Sequence, residues 1–279
     1  MAKPTKRPNP ATTNGVPPRT TRPNLRDLLL ADFSTLKVPL TAEQLDAVLA
    51  RAERDGLTHL ECMHALIADQ AQQRRERSIA RRINDADFRE LHTLAGFDWE
   101  FNAKAINRTQ IEELATAAFI ARQDNLVIVG QSGVGKSRII QAIGQSACVL
   151  GYRVCYTTSA GLLTDLTASL ADQTLPQCVR YYARFDLLII DEFGFDKIER
   201  TETPQAANLL YKIIDARTQR STALVTNIDF DAWGDYMGDP PLAMAFLDRV
   251  VDGAIILKIK GKSYRARRAT TQTDSAPAQ

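Results

Sequence analysis

The sequence predicts an α/β protein in which a five-stranded parallel sheet with flanking helices follows a small all-helical N-terminal domain. From Leu126 onward, apolar segments alternate with helical patterns, and this order is typical of parallel strands joined by helices. Several apolar segments are uninterrupted, as expected when both faces of a sheet are covered. Residues 25–122, in contrast, carry helical patterns throughout. The predicted strands are Leu126–Val129, Arg153–Thr157, Asp186–Ile190, Ala223–Thr226 and Ala254–Lys258.

The chain is expected to divide into four segments. Residues 1–24 are rich in Pro, Thr, Asn and Arg and lack apolar periodicity, which predicts a disordered basic tail. Residues 25–100 are expected to form the helical N-terminal domain and residues 101–268 the α/β domain. Residues 269–279 are predicted to form a second disordered tail.

Three capping-box patterns mark helix starts in the N-terminal half of the chain. In the pattern S/T-x-x-E/Q, the hydroxyl and the longer polar side chain each satisfy a backbone N–H group of the first turn. The patterns begin at Thr41, Thr58 and Thr109. The second is expected to open a long helix toward Ile79, and the third a helix that ends at about Ala121.

The composition indicates a sizeable core and no membrane span. Of the 279 residues, 44% are hydrophobic. No apolar run reaches the roughly 18 residues that a spanning helix needs. The N-terminus has no apolar signal core, and the four cysteines form neither a C-x-x-C pair nor a zinc-binding pattern. We therefore expect a cytoplasmic protein with reduced thiols.

The most specific motif is the G-x-x-x-x-G-K-S pattern of a phosphate-binding loop. It lies between the strand candidate Leu126–Val129 and a predicted helix over Arg138–Val149, which is the context that the motif requires. The glycines bring backbone N–H groups close to phosphate oxygens, and the helix N-terminus adds its positive dipole end. Lys136 is expected to reach the β- and γ-phosphates of ATP, and Ser137 to bind Mg²⁺. The predicted nucleotide-binding residues of this segment are Gly130, Gln131, Ser132, Gly133, Val134, Gly135, Lys136, Ser137 and Arg138.

Polar side chains end two further strand candidates. Asp191 and Glu192 follow a run of four apolar residues, and ligands of parallel α/β sheets bind at the carboxyl ends of strands. Asp191 is expected to hold Mg²⁺, and Glu192 to polarise the water that attacks the γ-phosphate. Asn227, after Thr226, is expected to bond that water or the γ-phosphate, although Asn at a strand end also suits a turn.

Two arginines are candidates for contacting the phosphates from further away. Arg249 lies late in a predicted helix, where a guanidinium supplied to a neighbouring subunit could stabilise the charge of phosphoryl transfer. We therefore expect a homo-oligomer. Arg265, in the segment G-K-S-Y-R, is either a second phosphate sensor, acting within its own subunit, or a contact to DNA or solvent.

The basic residues are unevenly distributed, although the net charge is only +2. They concentrate near the N-terminus, in the C-terminal half of the predicted long helix and near the C-terminus. Like charges packed so closely repel one another, so an anionic partner is the better interpretation than a solvated helix face. Phosphate neutralisation would bind DNA without sequence preference. The predicted DNA-binding residues are Arg74, Arg75, Arg77, Arg81 and Arg82.

Together these motifs resemble the DnaC/IstB branch of the AAA+ ATPases. The resemblance rests on the phosphate loop, Asp191-Glu192, Thr226-Asn227, Asp248-Arg249 and the closing G-K-S-Y-R, and covers about residues 25–268. The arginine-rich helix and the G-K-S-Y-R ending favour IstB, the helper ATPase of insertion sequences that encode an IstA-type transposase. The resemblance implies a P-loop AAA+ module in a bacterial cytoplasm, with ATP and Mg²⁺ as cofactors. It also implies an oligomer that assembles on double-stranded DNA, bends it and delivers it to the transposase.

Three other functions share part of this pattern. A DnaC-like helicase loader would carry the same ATPase motifs but bind single-stranded DNA. A nucleotide switch that does not hydrolyse ATP is disfavoured by the intact Glu192. A small-molecule kinase is disfavoured because the sequence shows no obvious substrate lid, and because Asn227 and Arg249 would have no role in such an enzyme.

Overall fold

The computed structural model describes residues 24–195 and 205–264. The described chain forms two compact units that divide between Arg75 and Glu76. The predicted tail at 269–279, the predicted tail at 1–24 except Asn24, and Arg265 lie outside the described residues. No helix in the described ranges is both long enough and apolar enough to cross a membrane.

The first unit is helical, as predicted. It contains α1 (Leu25–Thr35), α2 (Ala42–Asp55) and the beginning of α3 (His59–Asp85). The capping boxes at Thr41 and Thr58 are both present, since each threonine and the Gln or Glu three residues later exchange the expected bonds. The long helix α3 continues past Ile79 into the second unit.

The segment after α3 corrects the prediction that residues 25–122 are helical throughout. Residues 86–107 are irregular apart from the short 3₁₀ turn Leu94–Gly96. Side chains of another helix satisfy part of this backbone: the N–H of Glu90 donates to Gln141, and its carbonyl accepts from Gln145. Apolar residues within 86–107, called the linker below, pack into a core cluster of the second unit.

The prediction of a third capping box at Thr109 is wrong. The helix α4 (Arg108–Ala115) is capped by Asn107, whose side chain accepts from the N–H of Gln110 at 3.2 Å. The expected helix to Ala121 is also interrupted, because Ala117 adopts a left-handed conformation with φ of 58° before α5 (Ala118–Ala121) begins. An asparagine two residues before the threonine thus takes the capping position.

The predicted five-stranded parallel sheet is confirmed. The strands are β1 (Leu126–Gly130), β2 (Val154–Thr158), β3 (Leu187–Phe193), β4 (Ser221–Thr226) and β5 (Ile255–Ile259). They run in the order β2-β3-β4-β1-β5, and all pairs are parallel. Strand ends differ from the predicted ones by no more than three residues.

Helices cover both faces of this sheet, as the uninterrupted apolar strands indicated. Along β1, Val127 and Val129 belong to one buried cluster, whereas Leu126 and Ile128 belong to the other. The remaining helices are α6 (Lys136–Val149), α7 (Ser159–Ala171), α8 (Leu175–Ala183), α9 (Ala206–Asp215), α10 (Trp233–Met237) and α11 (Pro240–Val251). Residues of α7, α9 and α11 contribute to the first cluster, and residues of α4 and α6 to the second.

A buried arginine ties the amino end of the sheet together. Arg217 is 2% exposed, and its guanidinium donates to the carbonyls of Tyr182, Phe185 and Ser221 and to the hydroxyl of Thr222. Burial lowers the Arg217 pKa to about 10, so the group remains charged at neutral pH. It thereby joins the end of α8 to the start of β4.

We expect Arg217→Met to lower the free energy of unfolding by about 3 kcal/mol or more, because three buried carbonyls and one hydroxyl would lose their donor. Urea denaturation measures the change. Arg122→Met is the control, since Arg122 forms only an exposed ion pair with Asp124 and should change stability by less than about 1 kcal/mol. Equal denaturation midpoints for the two variants would contradict the assigned role of Arg217.

Candidate functional site

A pocket lies where β1, β3 and β4 end, beside the point at which the strand order places β1 between β4 and β5. Ligands of open parallel sheets bind at such a position. The cavity has a volume of about 390 Å³ and lies within the second unit. Its lining includes the predicted site residues Ser132, Gly133, Val134, Gly135, Lys136, Ser137, Arg138, Asp191, Glu192 and Asn227. The structure thus brings most of the predicted site together.

The phosphate-loop sequence forms a turn between β1 and α6 that leaves backbone N–H groups open. Gly133 and Gly135 have φ values of 83° and 100°, which side-chain-bearing residues rarely adopt. Gly135 is the N-cap of α6, and no side chain caps that helix. Uncapped N–H groups together with the helix dipole form a site that fits a phosphate group.

At Gly130 a side chain is excluded by a close neighbour, whereas at Gly133 and Gly135 it is disfavoured by the backbone conformation. A Cβ atom at this position would lie 2.4 Å from the carbonyl oxygen of Ile259 in the neighbouring strand β5. Gly130 and Gln131 do not line the cavity, but their carbonyls accept from Lys136. These two residues therefore shape the loop from behind the cavity.

The side chain of Lys136 is buried within the loop. Its Nζ atom donates to the carbonyl oxygens of Gly130 and Gln131 at 2.6 and 2.8 Å. Arg138, one turn into the same helix, donates to the carbonyl of Gly96 at 2.5 Å and lies over the ring of Phe97. Lys136 thus places a positive charge inside the loop, whereas Arg138 joins the loop to the linker.

Asp191 is almost completely buried, at 1% exposure, and both of its oxygens are hydrogen-bonded. The hydroxyl of Tyr156 on β2 donates to Oδ2 at 2.9 Å, and the backbone N–H of Glu192 donates to Oδ1 at 2.8 Å. Burial, followed by the charge of Asp191, raises the Tyr156 pKa, so the phenol remains a donor. Tyr156 therefore orients the carboxylate, a role that the strand pattern alone did not reveal.

Ser137 and Asp191 supply oxygen donors to the same cavity. Oxygen donors of this kind suit Mg²⁺, which prefers one or two protein ligands together with phosphate oxygens and water. The donor set therefore fits the predicted metal. A bound Mg²⁺ would neutralise phosphate charge, and Ser137 and Asp191 would hold it.

Glu192 has an unusual backbone and a charged partner. It is not glycine, yet its φ is 59°, and the ladder between β3 and β4 shifts register between Ile190 and Phe193. Arg89 of the linker donates to both carboxylate oxygens, at 2.9 and 3.2 Å. The bond to Glu192 raises the Arg89 pKa. Sequence reasoning missed Arg89, because no motif surrounds it.

Asn227 follows β4 and is exposed on the wall of the pocket. The preceding Thr226 is fully buried, and its hydroxyl accepts from the N–H of Ile228 at 3.2 Å. This bond forms a tight turn that directs the chain away from the sheet. Asn227 therefore lies at a tight turn and also lines the pocket. Both sequence-based interpretations of this residue remain predictions.

The segment after β5 is fastened to the phosphate loop. The Asn102 side chain bonds both the carbonyl and the N–H of Lys262, each at 3.0 Å. The N–H of Tyr264 donates to the carbonyl of Gly133 at 2.8 Å, and a Cβ atom at Gly133 would lie 2.2 Å from the Ser263 hydroxyl. Asn102 was not singled out from the sequence, since its partner is distant in the chain.

Arg249 does not line the pocket of its own chain, as far as the described residues go. It lies in the last turn of α11, where its guanidinium is 3.3 Å from a carboxylate oxygen of Asp215. Both side chains are about half exposed. The structure therefore separates Arg249 from the other predicted catalytic residues within one subunit.

The predicted DNA-binding arginines lie on α3 and differ in their surroundings. Arg74, Arg75, Arg77 and Arg81 are exposed. Arg82 is half-buried and donates to the carbonyl of Cys148 at 3.2 Å, near the end of α6. A cation at a helix C-terminus is favourable, so Arg82 has a role in the fold of the second unit.

Known sequences and structures match this chain over most of its length. The sequence model of the family described as IstB-like ATP binding protein matches residues 31–272. A protein of insertion sequence IS5376 from Geobacillus stearothermophilus, named as ATP-binding, is 30% identical over 86% of this chain and 94% of its own length. A protein of insertion sequence IS232 from Bacillus thuringiensis, also named as ATP-binding, is 32% identical with the same coverage.

Two solved structures share the fold. AMPPCP-bound DnaA from Aquifex aeolicus aligns with a TM-score of 0.50 at 20% identity, over 69% of this chain and 58% of its own. A DnaI structure also aligns with a TM-score of 0.50, at 18% identity, over 60% of this chain and 90% of its own. At these identities the likeness shows the AAA+ P-loop fold alone. The family match and the related sequences establish that the chain belongs to the IstB-like ATP binding proteins of insertion sequences.

Proposed function

We propose that this chain is an ATP hydrolase that assembles on double-stranded target DNA and assists the transposase of its insertion sequence. The observation that carries the ATPase part is the single pocket that contains Lys136, Ser137, Asp191 and Glu192. The names of the related proteins, which assign them to insertion sequences and to ATP binding, support the context of transposition.

The proposal assigns a role to each of the predicted catalytic and metal-binding residues in the pocket. Lys136 and the N–H groups at the start of α6 receive the phosphates, while Ser137 and Asp191 hold Mg²⁺. Glu192 accepts the proton of the attacking water, and Asn227 orients that water. Tyr156 keeps the carboxylate of Asp191 in place through its 2.9 Å bond.

The arginine finger is proposed to act between subunits. Arg249 is kept from the pocket of its own chain but lies on the surface, paired weakly with Asp215. A guanidinium so placed is available to the pocket of a neighbouring subunit, where it would neutralise transition-state charge. The proposed oligomer is therefore required for hydrolysis.

The proposed contact with DNA rests on α3. Arg77 and Arg81 are four residues apart on the part of this helix that belongs to the second unit and therefore share one face, whereas Arg74 lies on the part that belongs to the first unit. All three are exposed, as is Arg75 on the adjacent face. This spacing supports contact with successive phosphates of a duplex.

We expect Glu192→Gln to bind ATP as the wild type does but to hydrolyse it at least about 100-fold more slowly, because the amide cannot accept the proton. Lys136→Ala should lose ATP binding. Steady-state phosphate release and fluorescent-nucleotide titration measure the two effects. Glu112→Gln is the control, since Glu112 forms only an exposed ion pair with Arg108. Hydrolysis at the wild-type rate by Glu192→Gln would remove the proposed base.

We expect Arg249→Ala to hydrolyse ATP about 1000-fold more slowly than wild type while still binding it. Mixing it with Glu192→Gln should restore activity, because an interface can then combine an intact Glu192 from one chain with an intact Arg249 from the other. Phosphate release measured across mixing ratios gives the result. A finger acting within its own subunit would leave every mixture inactive.

The assembly itself is tested by mass photometry with duplex or single-stranded DNA, and with ATP, ADP or no nucleotide. We expect large complexes only with ATP and duplex. Arg74→Ala/Arg75→Ala/Arg81→Ala should weaken duplex binding and reduce the slope of log K against log salt by about 2 to 3, since each lost phosphate contact removes about 0.9.

The control for the arginine variant removes the same charge elsewhere. Arg108, Arg122 and Arg153 are each paired with a carboxylate, and their joint replacement by alanine should leave the salt slope unchanged. Equal slopes of log K against log salt for the two triple variants would contradict the proposed DNA contact. Assembly on single strands in place of duplex would favour the function of a helicase loader.

A further inference from the structure

We propose that Asn125 is a positioning residue for Arg249, because its side chain fixes the end of α11 from which Arg249 would extend to a neighbouring subunit. The proposal rests on the function proposed above, in which Arg249 acts between subunits. Asn125 is not among the residues that line the described pocket. It would therefore affect hydrolysis in the neighbouring subunit and not in its own.

The side chain of Asn125 joins the last turn of α11 to the first residues of β4. Its Nδ2 atom donates to the carbonyl oxygen of Arg249 at 3.1 Å, and its Oδ1 atom accepts from the N–H of Thr222 at 2.9 Å. One bond needs a donor and the other needs an acceptor. An amide supplies both, whereas a carboxylate supplies only the acceptor.

The carbonyl of Arg249 needs a donor from outside its own helix. Arg249 lies in the last turn of α11, which ends at Val251, and the carbonyls of a last helical turn lack later N–H groups of the same helix. The side chain of Asn125 supplies this missing donor. The bond therefore acts on the backbone of the residue that carries the proposed finger.

The other end of this connection is held firmly by the amino end of the sheet. Thr222 is 2% exposed, and its hydroxyl accepts from the buried guanidinium of Arg217, which also donates to the carbonyl of Ser221. The backbone carbonyl of Asn125 accepts from the N–H of Ile255 at 2.8 Å. Asn125 thus connects α11 to a part of the sheet that has little freedom to move.

The same connection keeps Arg249 far from the pocket of its own chain. Asn125 directly precedes β1, and the phosphate loop follows the other end of this strand. The five residues of β1 span about 16 Å at roughly 3.3 Å per residue, which is longer than an arginine side chain. The anchored backbone therefore presents Arg249 at the end of the sheet opposite to the pocket.

The guanidinium of Arg249 is held much less firmly than its backbone. It lies 3.3 Å from a carboxylate oxygen of Asp215, and both side chains are about half exposed. Ion pairs with this exposure contribute little to stability. The place from which the guanidinium can reach a neighbouring phosphate is thus set by the anchored backbone, and phosphoryl transfer depends strongly on such placement.

Two other roles for Asn125 would give different results. If Asn125 only supported β1 and the phosphate loop of its own chain, its replacement would damage the pocket of the same subunit. If its bonds served stability alone, the turnover number per folded subunit would remain unchanged. Assemblies mixed from two variants separate these roles, because they show in which subunit the defect lies.

The experiment first compares full-length Asn125→Asp, Asn125→Ala and wild type in steady-state ATP hydrolysis with duplex DNA. Asn125→Asp keeps the acceptor for the N–H of Thr222 but loses the donor to Arg249. We expect it to lower kcat by about 10- to 100-fold with the KM for ATP unchanged, because a misplaced finger weakens only the transition state. Asn125→Ala should act in the same direction without adding a charge.

The second step mixes variants and measures phosphate release across mixing ratios. Mixing Asn125→Asp with Glu192→Gln should restore hydrolysis, because an intact Glu192 from one chain then meets a well-placed Arg249 from the other. Mixing Asn125→Asp with Glu192→Gln/Arg249→Ala should restore nothing, since neither chain then supplies a well-placed finger. A role of Asn125 within its own subunit would give no restoration in either mixture.

A neighbouring residue provides the matched control. Asp124→Asn changes the adjacent side chain, whose carboxylate pairs with Arg122, and should leave kcat unchanged. Urea denaturation identifies any variant that does not fold. If Asn125→Asp does not fold, Asn125→Ala carries the same comparison, alone and in the two mixtures.

The outcomes distinguish this inference from the proposed function. An unchanged kcat for folded Asn125→Asp, or a change in KM alone, overturns the positioning role. A lowered kcat that Glu192→Gln does not restore also overturns it, provided that the same partner restores Arg249→Ala. If Arg249→Ala hydrolyses ATP at the wild-type rate or is not restored by Glu192→Gln, the finger between subunits fails, and the role of Asn125 fails with it.

Discussion

The pairing of β1 with β4 on one side and β5 on the other is the constraint on which the pocket depends. It sets the phosphate loop beside the strand that ends at Asn227 and against the backbone of Ile259. Since β3 pairs with β4 in turn, Asp191 and Glu192 reach the same edge. Chemistry-bearing residues from distant parts of the chain therefore meet without any long loop to carry them.

The positions of residues that directly follow a predicted strand were predictable from the sequence. The phosphate loop, Asp191 and Glu192 each follow a buried apolar strand, so the parallel sheet alone places them together. Residues that act through distant partners were not predictable. Arg89, Asn102 and Tyr156 each meet a partner far away in the chain, and nothing near them in sequence indicates it.

The errors in the helical region have a similar cause. Residues 86–107 contain aromatic and apolar side chains that suit a helix, but Gln141 and Gln145 satisfy the backbone of Glu90 from outside. Asn107 likewise competes with Thr109 for the capping role and takes it. In both places polar side chains form backbone hydrogen bonds that the local sequence pattern did not indicate.

Two arginines that the site analysis singled out are paired with carboxylates in the isolated subunit. Arg249 is paired with Asp215, and Arg89 with Glu192. Both pairs are exposed, so both can exchange partners at small cost. Under the proposed function, the isolated subunit lacks an arginine finger until a neighbouring subunit arrives, which limits futile hydrolysis.

The attachment of Tyr264 to Gly133 gives the phosphate loop a mechanical link to the rest of the chain. The N–H of Tyr264 holds a loop carbonyl, while Asn102 clamps the backbone two residues earlier. A displacement of Tyr264 would therefore change the shape of the turn between β1 and α6, because Asn102 holds the neighbouring backbone of Lys262 in place.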